Sequence, residues 1–217
     1  MPELESSSRY EERILEEAIQ SPSVAMMRLS IEIDRQLRLI LAVVGRLREY
    51  AGQSPTEALD LIAKSTTEDK IPPSLRETLK AFWEFRNLVV HGGRSREGFA
   101  MRSVDYGLRI LRMLHSIPRP SFIVIGVVYI FSDNTCTTVR SDVQGVLLDH
   151  LGPNAENFGS HIHPSRRDYI VGQSVSWEWN TAGEGWGESW YREPKSGEIK
   201  YAWTESLEFI GRPLDEI

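Results

Sequence analysis

Apolar side chains recur every three or four positions through the first half of the chain, and every second position or in unbroken runs through the second half. The first spacing belongs to helices and the second to strands. Residues 9–20 carry Ile14, Leu15, Ala18 and Ile19 on a narrow side and predict a short, charged accessory helix. Ser21-Pro22 supplies an N-cap and then proline at the first helical position, opening a long helix that reaches about Tyr50. Along it Met26, Leu29, Ile33, Leu37, Ile40, Val44 and Leu47 form a stripe that must face other helices, with Arg28, Glu32, Arg35 and Arg46 on the opposite side. Ser54-Pro55-Thr56-Glu57 combines a capping box with an early proline and predicts a short helix from Pro55 to Lys64, followed by a polar loop from Ser65 to Lys70. Pro72-Pro73-Ser74, with Glu77 at capping-box spacing, opens the next helix, which runs to His91. Gly92-Gly93 stops it, because glycine tolerates the left-handed backbone of a helix C-cap. After the loop from Gly92 to Gly98, a last helix is expected from Phe99 to Ile117, turning Val104, Leu108, Leu111 and Leu114/His115 inward.

Pro118-Arg119-Pro120 blocks further helix, and the pattern changes beyond it. Phe122 to Phe131 is an almost continuous apolar run rich in branched and aromatic residues, as a central strand would be, and Thr135 to Arg140 and Val143 to Asp149 read as strands after it. Val175, Trp177 and Trp179 alternate with polar residues, as do Ile199, Tyr201 and Trp203, so each set predicts a strand with one buried face. Pro194-Lys195-Ser196-Gly197 is the turn of a hairpin that joins Trp190-Tyr191 to the second set. The expected class is α+β: an N-terminal up-and-down helical bundle followed by a small, mainly antiparallel β domain. Residues 1–20 form the accessory helix, 21–118 the bundle and 119–217 the β-rich module.

Composition narrows the setting. A chain of 217 residues, 41% hydrophobic, holds one large or two small cores, and the change of period favours two. No apolar run approaches the ~20 residues that span a bilayer, the N-terminal Met1-Pro2-Glu3-Leu4-Glu5 is acidic and without a signal-peptide core, and Cys136 is the single cysteine. These features predict a cytoplasmic protein with no membrane partner. The net charge of −6 lies wholly in the second half, since residues 1–118 hold 17 basic and 17 acidic side chains and residues 119–217 hold 8 and 14. Between Arg86 and Arg112 the balance reverses, with six arginines against Glu97 and Asp105, a surface suited to a polyanion.

Within that basic interval lies Arg86-Asn87-Leu88-Val89-Val90-His91. Arg86 falls on the apolar stripe of Leu79, Phe82 and Val90, where a surface arginine is not normally placed, and Asn87 and His91 share one helix face about 100° away. Arginine can hold a phosphate through two hydrogen bonds, histidine can move a proton near pH 7, and a helix C-terminus favours the protonated imidazole. The plainer reading is that His91 caps the helix while Arg86 pairs with a carboxylate such as Glu32 or Glu84.

The motif and its helical setting resemble the HEPN (higher eukaryotes and prokaryotes nucleotide-binding) family, whose signature is R-x4-6-H at the end of a late helix, most often written R-N-x-x-x-H. The likeness covers about residues 22–117: a long early helix with the internal acid Glu32, a short helix, a polar loop, Leu-x-x-x-Leu-x-x-Phe before the motif and a helix after it. It implies an endoribonuclease that needs no metal and no cofactor, working in toxin-antitoxin or antiphage defence, pairing as a homodimer so that two motifs face one cleft. An antitoxin or regulatory protein is a further implied partner. It equally admits a catalytically inactive nucleotide-, RNA- or protein-binding scaffold. In the active case Arg86, Asn87 and His91 are catalytic, Glu32 supports them, and Arg94, Arg96 and Arg102 line the RNA-binding rim. The tyrosine frequent two residues after the histidine is replaced by Gly93.

Residues 119–217 carry no resemblance, and the module is expected to control or sense. Its acidity suggests that it limits access to the basic cleft, or merely keeps a tryptophan-rich domain in solution. Most of Trp177, Trp179, Trp186, Trp190 and Trp203 are expected in its core. His161-Ile162-His163 puts two imidazoles on one side of a strand with only Asp149 or His150 to join them, so no metal site is expected. Gly183-Glu184-Gly185-Trp186-Gly187 lacks the lysine and the strand-to-helix setting of a phosphate loop, and nothing places a base beside Cys136.

Overall fold

The computed structural model describes residues 7–65, 71–91, 96–117, 121–151, 160–182 and 186–217. Residues 92–95 of the loop expected from Gly92 to Gly98, most of the polar loop before Ile71, the Pro118-Arg119-Pro120 boundary and Gly183 to Gly185 lie outside them. The fold is α+β, a helical bundle followed by a curled antiparallel sheet. Contacts gather into two units, residues 1–41 with 49–118, and residues 42–48 with 119–217.

The helical unit contains α1 (Ser7–Gln20), all but the last two residues of α2 (Pro22–Val43), α3 (Pro55–Ser65), α4 (Leu75–His91) and α5 (Arg96–Ser116), with the second half of a 3-10 turn at Leu47–Tyr50. The α2 stripe packs as its spacing requires: Met26, Leu29, Ile33, Leu37 and Ile40 are all buried. The helix stops earlier than its apolar pattern does. Gly45 takes a positive φ of 73° and donates its N–H to Ala42 O at 3.2 Å, a C-cap that a residue with a Cβ would strain to adopt. The capping box at α3 forms, with the Ser54 N–H donating to Glu57 Oε2 at 2.6 Å. At α4 it does not. The Ser74 hydroxyl reaches Met113 Sδ at 3.4 Å, and Ser74 starts the helix through its carbonyl, which accepts from the Thr78 N–H.

On α4 the buried residues are Leu75, Thr78, Leu79, Phe82 and Val89. The expected stripe therefore continues into Val89, not Val90, which is exposed. Leu114 points inward on α5, while His115 faces solvent instead of the interior expected of it.

In the β unit, β1 (Ser121–Phe131) is central, as its apolar run predicts. It pairs along most of its length with β2 (Val139–Leu151), which pairs in turn with β3 (His161–Ser165). The other edge of β1 meets β4 (Ser174–Val175) near its start and β6 (Ser189–Arg192) near its end, and β6 forms a hairpin with β7 (Ile199–Trp203). β5 (Trp179–Asn180) and β8 (Glu208–Phe209) make a separate two-stranded sheet. Register shifts in β1 after Val124 and Tyr129 let the sheet curl.

Two strand expectations change. Thr135 to Thr138 are a turn, because the Asp133 carboxylate accepts from the backbone N–H groups of Thr135, Thr137 and Thr138 and so displaces ladder pairing. Val175 to Trp179 is split between two sheets, with the Ser176 N–H donating to Arg212 O and the Trp177 N–H to Ala42 O. At the break Glu178 is buried, and it accepts from Arg212 Nε at 3.0 Å and Ser176 Oγ at 2.6 Å. Burial alone would raise its pKa, but these bonds and the arginine charge hold it below the ordinary value.

Two apolar clusters fill the unit, one around Ile130, Trp186, Tyr191 and Trp203, the other around Val124, Val146, Val175 and Phe209. Trp177, Trp179 and Trp190 are only partly buried. Tyr201 and Ile199 are exposed, so the alternation in β7 buries Trp203 alone of its three apolar positions.

Candidate functional site

The motif occupies the last six residues of α4. Arg86 is half-buried, while Asn87 and His91 are exposed. Arg86 Nη1 donates to Asn87 Oδ1 at 3.2 Å, which couples the guanidinium to its neighbour's amide. Among the described residues no carboxylate is paired with Arg86. In the same unit Arg28 is paired with Glu17, Arg35 with Glu32, Arg38 with Asp34, Arg76 with Asp60 and Arg112 with Glu11.

Arg86 opens onto a cavity of about 520 Å³ between α2, the 3-10 turn, the start of α3 and α4. One face of α2 lines it at steps of three and four through Met27, Ser30, Ile31, Asp34 and Arg38. Trp83, one turn before Arg86 on α4, adds an aromatic wall, and Tyr50 adds another. Asp34 is the hub: Oδ1 accepts from the Tyr50 hydroxyl at 2.7 Å, Oδ2 accepts from Arg38 Nε at 2.7 Å, and the Arg38 guanidinium lies 5.4 Å over the Tyr50 ring. Burial, then the bond to Asp34, pushes the Tyr50 phenol well above its ordinary pKa. The cavity thus presents two guanidiniums, one matched by a carboxylate and one not, beside aromatic surface. That combination suits a phosphate attached to a flat ring.

His91 does not line this cavity. Five residues beyond Arg86 it lies about 7.5 Å further along the axis and about 140° round it.

Glu32 is placed away from the cavity, on another face of α2 from Asp34. Its Oε1 accepts from Arg35 Nη2 and Gln36 Nε2, both at 2.7 Å, and its Oε2 accepts from Arg35 Nε at 2.9 Å. Burial would raise its pKa, but these bonds and Arg35 lower it on balance. The acid that shares a cavity with Arg86 is Asp34.

Arg94 lies outside the described residues, and Arg96 is the first residue of α5. Arg102 is exposed and lines a second, smaller cavity of about 420 Å³ with Asp105, Tyr106 and Arg109. Tyr106 stacks on Phe85 at 5.7 Å, and Phe85 immediately precedes Arg86. Arg112, counted in the basic interval, is neutralised by Glu11 at 2.6 Å.

Asp34, Arg38, Tyr50 and Trp83 were not among the expected site residues. The signal for three of them was present: Asp34 and Arg38 are an i,i+4 acid–base pair on the face carrying Ile31, and Trp83 sits one turn before Arg86. Tyr50 gave none, because it reaches the site only through the break at Gly45. No family model, no curated protein and no solved structure matches this chain.

Proposed function

We propose that the helical unit is HEPN-like and cleaves RNA without a metal, as a toxin or antiphage effector, with the β-rich unit as its control or sensing part. The observation that carries this reading is Arg86, half-buried, hydrogen-bonded to Asn87, open to a cavity and without a carboxylate partner among the described residues. In the proposed step Arg86 neutralises the scissile phosphate, and Asn87 orients it or His91. His91 takes the proton of the ribose 2′-OH as that oxygen bonds to phosphorus. The P–O5′ bond breaks, the leaving oxygen takes up a proton, and the products carry a 2′,3′-cyclic phosphate and a 5′-hydroxyl. The nucleophile is already held next to phosphorus, so positioning supplies much of the acceleration.

A homodimer through the helical unit is part of this reading. On α2 the exposed Val24 and Ile31 continue the face that bears Asp34 and Arg38, and on α4 Leu88 and Val90 are exposed beside the motif. A second copy covering such a face would bring two motifs into one cleft.

Incubating the full chain with mixed RNA in EDTA should yield fragments ending in 2′,3′-cyclic phosphate, and His91→Ala should abolish them. Equal cleavage by both proteins overturns the proposal. The position of His91 outside the Arg86 cavity favours a second reading, a binding module that holds a nucleotide or RNA end without cutting it. Its signature is nucleotide binding that Arg86→Ala removes and His91→Ala leaves intact.

A further inference from the structure

Three strands of the β unit place aromatic and imidazole side chains on one face. Phe122 is directly opposite His150, Leu148 opposite His161, and Val146 opposite His163, so these side chains share a side of β1, β2 and β3. Together with Trp177, Phe122, Leu148 and the three histidines line a cavity of about 360 Å³. The Phe122 and Trp177 rings stack at 4.1 Å and 21°, and His150 meets Phe122 edge-on at 5.3 Å. His163 meets Trp177 and Trp179 edge-on at 5.7 and 4.7 Å.

The lining chooses among ligands. Among the described residues no lysine, arginine, aspartate or glutamate contributes to it, so these residues offer neither a cation for a phosphate nor a carboxylate for an amine. Among the described residues no cluster of histidine, cysteine or acid is arranged to hold a metal. The walls are ring carbon, and the volume is at the small end of the range for small-molecule sites, about 300–1,000 Å³. His163 Nε2 is shielded from water and has no hydrogen-bond partner among the described residues. A buried polar atom in that position costs stability unless something supplies its bond.

We infer that this cavity binds an uncharged, flat heteroaromatic molecule of one or two rings, of the size and kind of a free nucleobase, packed against aromatic surface and hydrogen-bonded to His163. Burial and the neighbouring His161 push the His163 pKa down to about 4, so at neutral pH the ring is uncharged and can offer its nitrogen to an uncharged partner. His161 is exposed at the cavity and provides a second polar contact to a ligand edge. The assignment stands apart from RNA cleavage, since none of its residues belongs to the helical unit.

The test is an NMR titration of the full chain at neutral pH with adenine, uracil and indole, and with inorganic phosphate and zinc as controls, following the His161, His163 and Trp177 ring signals. At least one heterocycle should give saturable shifts at those rings. His163→Phe should weaken that binding tenfold or more, and His161→Ala severalfold. His161 is exposed, so its substitution keeps the test decisive should His163→Phe disturb folding. The inference is overturned if no heterocycle saturates at millimolar concentration, if both variants bind as the parent does, or if only phosphate or zinc moves these signals.

Discussion

The Tyr50 hydroxyl donates to Asp34 Oδ1 at 2.7 Å, joining two residues sixteen positions apart across the mouth of the Arg86 cavity. Asp34 also holds Arg38, so the tyrosine helps fix an acid–arginine pair that would otherwise be a mobile surface pair. Tyr50 itself is buried. Tyr50→Phe removes the donor and leaves a carboxylate oxygen short of a bond, a cost of about 1–2 kcal/mol. The urea midpoint of the variant should fall accordingly, with the helical content of the native state unchanged.

Alkaline pH should act on the same bond. Burial and Asp34 raise the Tyr50 pKa, and burial and Glu32 raise that of Tyr10 to about 12. Unfolded tyrosines ionise near pH 10, so the stabilisation is fully present below about pH 10 and is lost as pH rises through the folded values. Denaturant midpoints measured from neutral pH upward should stay level to about pH 10 and then decline, with a shallower decline in Tyr50→Phe.

Arg86 separates a site from a structural residue. It is half-buried and makes no ion pair among the described residues, so Arg86→Ala should change stability by less than about 1 kcal/mol while removing nucleotide or RNA binding. A large drop in melting temperature with binding preserved would assign Arg86 to the fold.

The exposed apolar positions on α2 test the pairing of two copies. Ile31 is 67% exposed and lines the cavity that holds Arg86. Sedimentation at micromolar concentration should show a dimer for the parent chain and a monomer for Ile31→Glu, because a charge buried on each side of a two-fold axis faces its own copy. A parent chain that sediments only as monomer would remove the composite cleft.

Acid should weaken the β unit through His163. Its pKa is depressed to about 4 from an ordinary 6.5, so its contribution is fully present above about pH 6.5 and is lost as pH falls toward the folded value. The full effect is on the order of 3 kcal/mol. Thermal midpoints should drop between neutral pH and pH 4 in the parent chain, and His163→Phe should flatten that part of the profile.

The sequence by itself determined the class of the five helices, of β1 and of the β6–β7 hairpin, because each is a local matter. The α2 stripe from Met26 to Ile40, the capping box at Ser54 and Glu57, the apolar run of β1 and the turn at Pro194 to Gly197 depend on residues a few positions apart, and each formed. The motif at Arg86, Asn87 and His91 was legible for the same reason, since helical spacing alone puts it at the end of α4. What surrounds the motif depends on contacts distant in sequence. An unbroken helix to Tyr50 would hold that residue about 24 Å from Asp34 along the axis. The positive φ at Gly45 ends α2 and lets Tyr50 reach Asp34 at 2.7 Å, so that Asp34, not Glu32, is the acid of the cavity. Likewise alternation placed His161 and His163 on one side of a strand, but only the antiparallel register of β1, β2 and β3 set His150, Phe122 and Leu148 beside them. Periodicity states which side of an element a residue takes, and the pairing of elements decides what it meets there.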